Sequence, residues 1–485
     1  MSENKLSEHI FKKGKFITPW NSLLGDVTKN QSWCLNRFPE YLWLSLILYK
    51  YGRKKGLEKS YFVLKKLHEI SGELKAPAFS LVLGLNEAKQ NELFSYVVEI
   101  MDSNVFTPLT LLYTYSENRV FSKYFTDMTM HPSKRQEILT KVLEKGYMHQ
   151  SEFATDIRFL VLFFTLLTGT YGLPKQELDL ILEYPKLEHS DEKMRIIRPS
   201  IRSMEMMVLN LEILDVTFLE NFWGRISKMS DCKLFFMKWP ENNEDANRYV
   251  ELLYEVFQYY TNCFIAVNPL DKKTLVLLGL GTYSYKRIIE IYEHNLYNSI
   301  AARSSIRTVI ENYIMMKYLI KAEESQDDIW EKYQMYGIGL YKVVVARFRD
   351  AEKELPDSHV DYKYLEMLVN EMIDERYLDM DTSYFDKQNI RDKAISVGQK
   401  ELFGLYYDYD SSFEHGLWGA IRESSLLKCD SPAHQYHCVP DYENKQNLKS
   451  VWPDCISTMN STIKLLNEFF ALPESLFNEV MKFDK

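Results

Sequence analysis

The chain has 485 residues, a formal charge of −9, 46% hydrophobic and 26% charged side chains; it reads as a soluble globular protein too long for one core. The acidic balance excludes a protein that coats nucleic acid through its overall field, though not one with a local basic cleft. Six scattered cysteines argue against a disulfide framework. With a polar beginning and no apolar run of spanning length, they point to a cytoplasmic, reducing setting and no membrane partner.

Residues 1–30 read as a polar leader anchored by Trp20 and Leu23. From Phe38 apolar residues recur at three- and four-residue spacing, first in "PEYLWLSLILYKYG" and "GLEKSYFVLKKLHEISG". The same pattern predicts helices over "QNELFSYVVEIMD", "SKRQEILTKVLEKG", "FATDIRFLVLFFTLLTG" and "EKMRIIRPSIRSMEMMVL", separated by Pro-, Gly- or Asn-bearing links. In the last of these, Arg198 and Arg202 join Lys193 and Arg195 as a basic, exposed helix side. "KWPENNEDANRY" at 238–249 is the expected boundary between an irregular helical array over 1–240 and an up-and-down helical bundle over 245–485. The bundle's strings are longer: "ANRYVELLYEVFQYYTNCFIAV", "KKTLVLLGLGTYSYKRIIEIYEH", "DDIWEKYQMYGIGLYKVVVARFRDAEKEL", "VDYKYLEMLVNEMIDERYL", "KELFGLYYDYDSSFEHGLWGAIRESSLL" and "VWPDCISTMNSTIKLLNEFFAL". The predicted fold class is all-α throughout.

The sharpest functional lead is "SIAARSSIRTVIENYIMMKYL" at 299–319. A helix capped by Asn298 or Ser299 puts Ile306, Ile310, Tyr313, Ile314 and Ile320 on one apolar arc, with Ser304, Ser305, Thr308 and Asn312 largely opposite. Arg303 falls inside the arc, and Arg307 and Glu311 fall at its edge, one and two turns on. Arginine keeps its proton, so burying Arg303 requires a partner or a wet cleft. One reading is a structural ion pair that sets helix register; the other is a polar site for anion binding or acid–base chemistry.

"YDYDSSFEHGLWGAIRES" supplies candidate partners. Read as one helix, it places His415 and Arg422 on a common face with Ser411 one turn earlier. Histidine moves protons near neutrality, arginine steadies a phosphate, and Gly416 and Gly419 leave room for a ligand.

These stretches together resemble a bacterial helical family of unknown function. Its pattern is an Arg seven or eight residues before a Glu, then Ser-x-x-His in a later helix, matched here by Arg303, Glu311, Ser412 and His415 over roughly residues 250–470. Such families are compared with the higher-eukaryote and prokaryote nucleotide-binding (HEPN) bundles, many of them ribonucleases in bacterial defence. The resemblance implies a defence-associated, RNA-acting protein without a metal. In that reading Arg303, Glu311 and His415 are catalytic, and Arg307, Ser412 and Arg422 bind substrate. HEPN nucleases carry an Arg four to six residues before a His; Arg287 and His294 come nearest, and His415 and Arg422 stand in reverse order. The competing expectation is a non-catalytic scaffold. The N-terminal helices are the expected place for self-association or a partner protein.

"CDSPAHQYHC" sets Cys429, His434, His437 and Cys438 within one loop. Zinc takes such ligands, but the spacing matches no common finger and adjacent His437 and Cys438 serve one ion awkwardly. The reading is a polar loop, or one that lends His434 or His437 to the arginine cleft; no metal or cofactor is expected. Phosphate-loop, Rossmann, nucleophile-elbow and zinc-protease signatures are missing from the sequence, and "GLGTY" at 279–283 lies within a helical pattern.

Overall fold

The computed structural model describes residues 9–12, 14–17, 32–170, 172, 175–208, 215–240, 245–267, 270–351, 358–372, 385–386 and 388–483. Trp20 and Leu23 lie outside them, as does the end of the "VDYKYLEMLVNEMIDERYL" string. The chain forms two compact units: an N-terminal one of Met1–Phe235 with Lys428–His437, and a C-terminal one of Phe236–Leu427 with Cys438–Lys485. Ten residues far along the chain return to the first unit, a return that no local pattern announces.

Helices of the N-terminal unit are α1 (Phe38–Ile70), α2 (Phe79–Leu83), α3 (Glu87–Ile100), α4 (Arg119–Phe125), α5 (Pro132–Tyr147), α6 (Glu152–Leu167), α7 (Lys175–Glu183), α8 (Met194–Val208) and α9 (Val216–Lys228). The two strings expected after Phe38 form one element kinked at Gly52, whose φ of 73° lies in the region that favours glycine. Side-chain oxygens cap the helix starts: Asn86 accepts from the Lys89 amide, Ser151 from Ala154 and Asp215 from Phe218. α1 packs on α3, α5 and α6, and α6 on α8. Gly146 allows the closest approach: a Cβ there would meet the Phe38 ring at 2.2 Å. Trp43, Phe79, Phe94, Phe106, Phe121 and Phe125 fill the core edge to face, each fully buried ring contributing on the order of 1.5–3 kcal/mol.

Short strands are present where helices or loops were expected. β1 (Ile10–Lys12) and β2 (Lys15–Ile17) pair as a hairpin across Gly14. β3 (Leu234–Phe235) pairs antiparallel with β4 (Leu426–Cys429), Leu234 facing Cys429 and Phe235 facing Lys428. Of the predicted basic helix side, Lys193 and Arg195 are exposed, whereas Arg202 is buried, donating to Thr155 Oγ1 and the Gln150 carbonyl, and Arg198 is tied to Glu152 and the His189 carbonyl.

Helices of the C-terminal unit are α10 (Ala246–Phe264), α11 (Lys272–Glu293), α12 (Ile300–Glu323), α13 (Ile329–Arg349), α14 (Tyr362–Met372), α15 (Ile390–Ser396), α16 (Asp408–Glu414), α17 (Trp418–Ser424), α18 (Trp452–Phe469) and α19 (Glu474–Met481). α12 is the central one, packed on α11, α13, α15, α16 and α18. Its apolar surface is therefore wider than the expected arc: Ala302, Ser305, Val309, Met315, Met316 and Leu319 are buried with Ile306, Ile310 and Ile314. Ser305, placed opposite the arc by the sequence reading, is inside because a second layer of helices covers that side.

Candidate functional site

The lead stretch forms all but the last turn of α12, capped by Ser299, whose hydroxyl accepts from the Ala302 amide at 3.1 Å. The segment before α18 runs beside this end: the Leu448 amide donates to the Asn298 carbonyl at 2.9 Å, and the Val451 amide to the Tyr297 carbonyl at 3.1 Å. This brings the Lys449 carbonyl within reach of Arg303. Arg303 is 3% exposed; its Nη2 donates to that carbonyl and its guanidinium lies over the Phe413 ring. Its Nε stands 3.9 Å from Asp410 Oδ1, an ion pair without a hydrogen bond. Burial pushes the Asp410 carboxyl up to about 7, against the opposing pull of Arg303 and Arg307, with Asp454 adding to the rise. Asp454 is itself raised by burial, partly offset by Arg303 and Lys449.

One turn on, Arg307 faces a different set. Its Nε donates to Ser411 Oγ at 2.9 Å and its Nη2 to the Tyr407 hydroxyl, with Glu311 Oε2 at 3.6 Å from Nη1. The Tyr407 hydroxyl donates in turn to Glu311 Oε2 at 3.1 Å. Burial, then the Glu311 charge, push the Tyr407 phenol up to about 12, so it keeps its proton at neutral pH. Glu311 also lines a cleft of about 550 Å³ with Met315, Tyr333, Gln334, Tyr336, Tyr341 and Phe385. Tyr333 and Phe385 meet edge to face at 5.4 Å. Burial and then the Glu311 charge raise the Tyr333 phenol as well.

Arg303, Arg307 and Glu311 thus divide between two neighbouring sets. His415 and Arg422 are exposed, and no hydrogen bond or ion pair joins either side chain to the described residues. Ser412 Oγ donates to the Tyr409 carbonyl at 2.6 Å; it is Ser411 that meets Arg307. The single helix expected through His415 is broken. Gly416 has φ +57°, its amide donates to Phe413 and the Leu417 amide to Ser412, a double closure that ends α16 at His415. His415 and Arg422 therefore do not share a helical face. Arg287, on α11, is paired with Glu290 at 2.7 Å, and His294 caps the end of that helix.

The sequence reading passed over Tyr407, Asp410 and Asp454, and the aromatic walls of the cleft. Asp410 and Tyr407 stand within "YYDYDSSFEHG", where two acids beside an expected arginine partner were the available signal. It also grouped Cys438 with Cys429, His434 and His437, whereas the ligand-type atoms that cluster are those of Cys232, Cys429, His434 and His437. His434 Nε2 lies 2.9 Å from the Ser230 carbonyl and 3.0 Å from that of Ser227, so this ring is engaged beside α9 rather than lent to the arginines.

Residues 276–434 match the profile of a family of unknown function, DUF5677. The matched segment includes Arg303, Arg307, Glu311, Ser412 and His415. No curated protein and no solved structure matches the chain. Among the described residues no helix is long and apolar enough to cross a membrane.

Proposed function

We propose that the C-terminal unit is an RNA-directed module, HEPN-like in kind and defence-associated in setting, that takes an unstacked nucleobase into the cleft beside Glu311. The observation that supports this is the cleft itself, walled by Tyr333, Tyr336, Tyr341 and Phe385 with one carboxylate at its edge. Aromatic faces stack bases, at about 1–3 kcal/mol each, and a carboxylate accepts from the amino edge of cytosine or guanine. Arg307 and the Tyr407 hydroxyl hold Glu311 by one oxygen, Oε2, which leaves Oε1 as the acceptor for a base. A −9 chain binds RNA this way through bases more than phosphates.

Fluorescence anisotropy with short single-stranded RNAs tests the reading. Tyr341→Ala and Glu311→Gln should each weaken binding by about 5- to 100-fold, in line with the loss of one stacking face or one base edge. Equal affinity in both variants, or no affinity in the folded wild type, ends it. Cleavage of the bound RNA that stops in His415→Ala would assign the imidazole the proton of the attacking 2′-hydroxyl.

The scaffold reading has its own support: Arg303 is spent on the Lys449 carbonyl and Asp410, inside the bundle. It predicts a folded chain indifferent to RNA, whose polar residues on α12 matter to stability alone.

A further inference from the structure

The cluster in the N-terminal unit calls for a different chemistry. The Cys232 and Cys429 sulfurs and one nitrogen each of His434 and His437 all lie within 4.8 Å of one another. Cys232 Sγ is 3.0 Å from His437 Nε2, and Cys429 Sγ is 3.6 Å from His434 Nδ1. Around one tetrahedral zinc, with bonds of about 2.3 Å to sulfur and 2.0–2.1 Å to nitrogen, ligand atoms stand about 3.3–3.8 Å apart. The 3.6 Å spacing falls in that range and the 3.0 Å spacing just below it, with every pair inside 4.8 Å.

The second nitrogen of His434 supports the same reading. Its Nε2 is placed against the carbonyls of Ser227 and Ser230 and 3.2 Å from Ser230 Oγ. Carbonyls only accept, so Nε2 carries the hydrogen and Nδ1 presents its lone pair toward Cys429. Metal-bound histidines are oriented in this way, by a second ring nitrogen that donates to a backbone oxygen. The pairing of β3 with β4 fixes both cysteines: Leu234, two residues past Cys232, faces Cys429, and the Cys429 amide donates to the His437 carbonyl at 2.9 Å. Backbone geometry therefore assembles the set, and Ala433, 2% exposed, seats the loop in the N-terminal core.

We propose that Cys232, Cys429, His434 and His437 bind one zinc ion. Two thiolates and two imidazoles in a tetrahedral set favour zinc over magnesium or calcium. Four protein ligands leave no position for water or substrate, so the site is structural. Its work is to clamp residues 428–437, reached only after the chain has traversed most of the C-terminal unit, onto the end of α9. Binding replaces the two thiol protons with the metal, so affinity falls as pH drops.

The 485-residue chain, purified under reducing conditions and reconstituted with zinc, should hold one equivalent by elemental analysis after dialysis. Cobalt(II) added to the zinc-free chain should give the visible bands of a tetrahedral site with thiolate ligands. Cys232→Ser changes an exposed side chain and should bring metal to background with circular dichroism unchanged. Cys438→Ser and Cys263→Ser should keep the full equivalent. Chelation should lower the melting temperature of the wild type and not of Cys232→Ser. A wild type free of zinc after reconstitution, a Cys232→Ser chain that retains it, or loss of zinc in Cys438→Ser alone would each overturn the assignment. So would a Cys232–Cys429 disulfide whose reduction yields a chain that takes up no metal.

Discussion

Each unit buries a cluster built on arginine, and the two are balanced in opposite ways. In the N-terminal unit two cations share one acid: Arg37 pairs with Glu205, which is wholly buried, and Arg158 Nε stands 3.5 Å from the same oxygen. The Trp33 ring takes up the surplus charge, with the Arg158 guanidinium 4.4 Å and that of Arg37 5.5 Å from its centre. In the C-terminal unit Arg303 faces two acids, Asp410 and Asp454; burial raises both carboxyls, and the pull of Arg303, with Arg307 on Asp410 and Lys449 on Asp454, offsets it only in part. A surplus cation needs a permanent partner; a surplus acid can change its charge with pH. The second cluster can therefore respond to pH.

The largest effect should come from breaking the first balance. Glu205→Ala leaves Arg37 and Arg158 buried without a counter-ion and should cost about 3–5 kcal/mol in urea unfolding of the N-terminal unit. A loss below about 1 kcal/mol would show that the Trp33 face and water suffice.

Asp410→Asn tests the other side. The carboxyl is near 7 in the folded chain against 3.8 in the unfolded one, so the folded state binds the extra proton. The stability this gives is complete below pH 4 and is lost as pH rises through 7, to a total of up to about 4 kcal/mol. Asparagine stays neutral and removes that slope. Hydrogen exchange of α12 and α16 amides should show the variant gaining on the wild type between pH 4 and 7. Glu40, raised to about 7 by burial in the other unit, contributes equally to both chains and cancels. Parallel pH profiles would mean that Asp410 titrates as it does unfolded.

Much of this architecture was legible. The Ser299 cap, the long helices and the break near Gly52 follow from periodicity and local chemistry, which act within a turn or two. The buried arginine on α12 was legible too, because an unusual residue on an apolar arc is itself a local signal. Its partners were not. Arg37 and Glu205 are 168 positions apart, and Cys232 lies as remote from Cys429; such pairings leave no period in the sequence. The missed break at His415 is of another kind. "FEHGL" carries a glycine at the position where helices turn left-handed, and a glycine there ends a helix as readily as it leaves space for a ligand.

A smaller perturbation separates the two sets on α12. Tyr407→Phe removes the hydroxyl that links Arg307 to Glu311 and leaves Arg303 untouched. It should cost about 1.5 kcal/mol, since both partners are partly solvated. It should also loosen Glu311 at the cleft, which on the proposed function weakens RNA binding, with little effect on the Asp410 profile. A changed profile would mean that the two sets act as one.

The smallest expected effect addresses the broken helix. A Cβ on Gly416 would meet nothing within 4 Å, so Gly416→Ala carries no steric clash. Its cost is that of holding an L-residue at φ +57°, about 1 kcal/mol. Alanine also favours helix, so the substitution pulls α16 and α17 toward the single element first read from the sequence. In that continuous form His415 and Arg422 come onto one face, two turns apart. If RNA cleavage needs the bent form, activity should fall by more than the stability loss explains. If activity rises, the bend holds His415 away from its work, and the continuous helix is the active one.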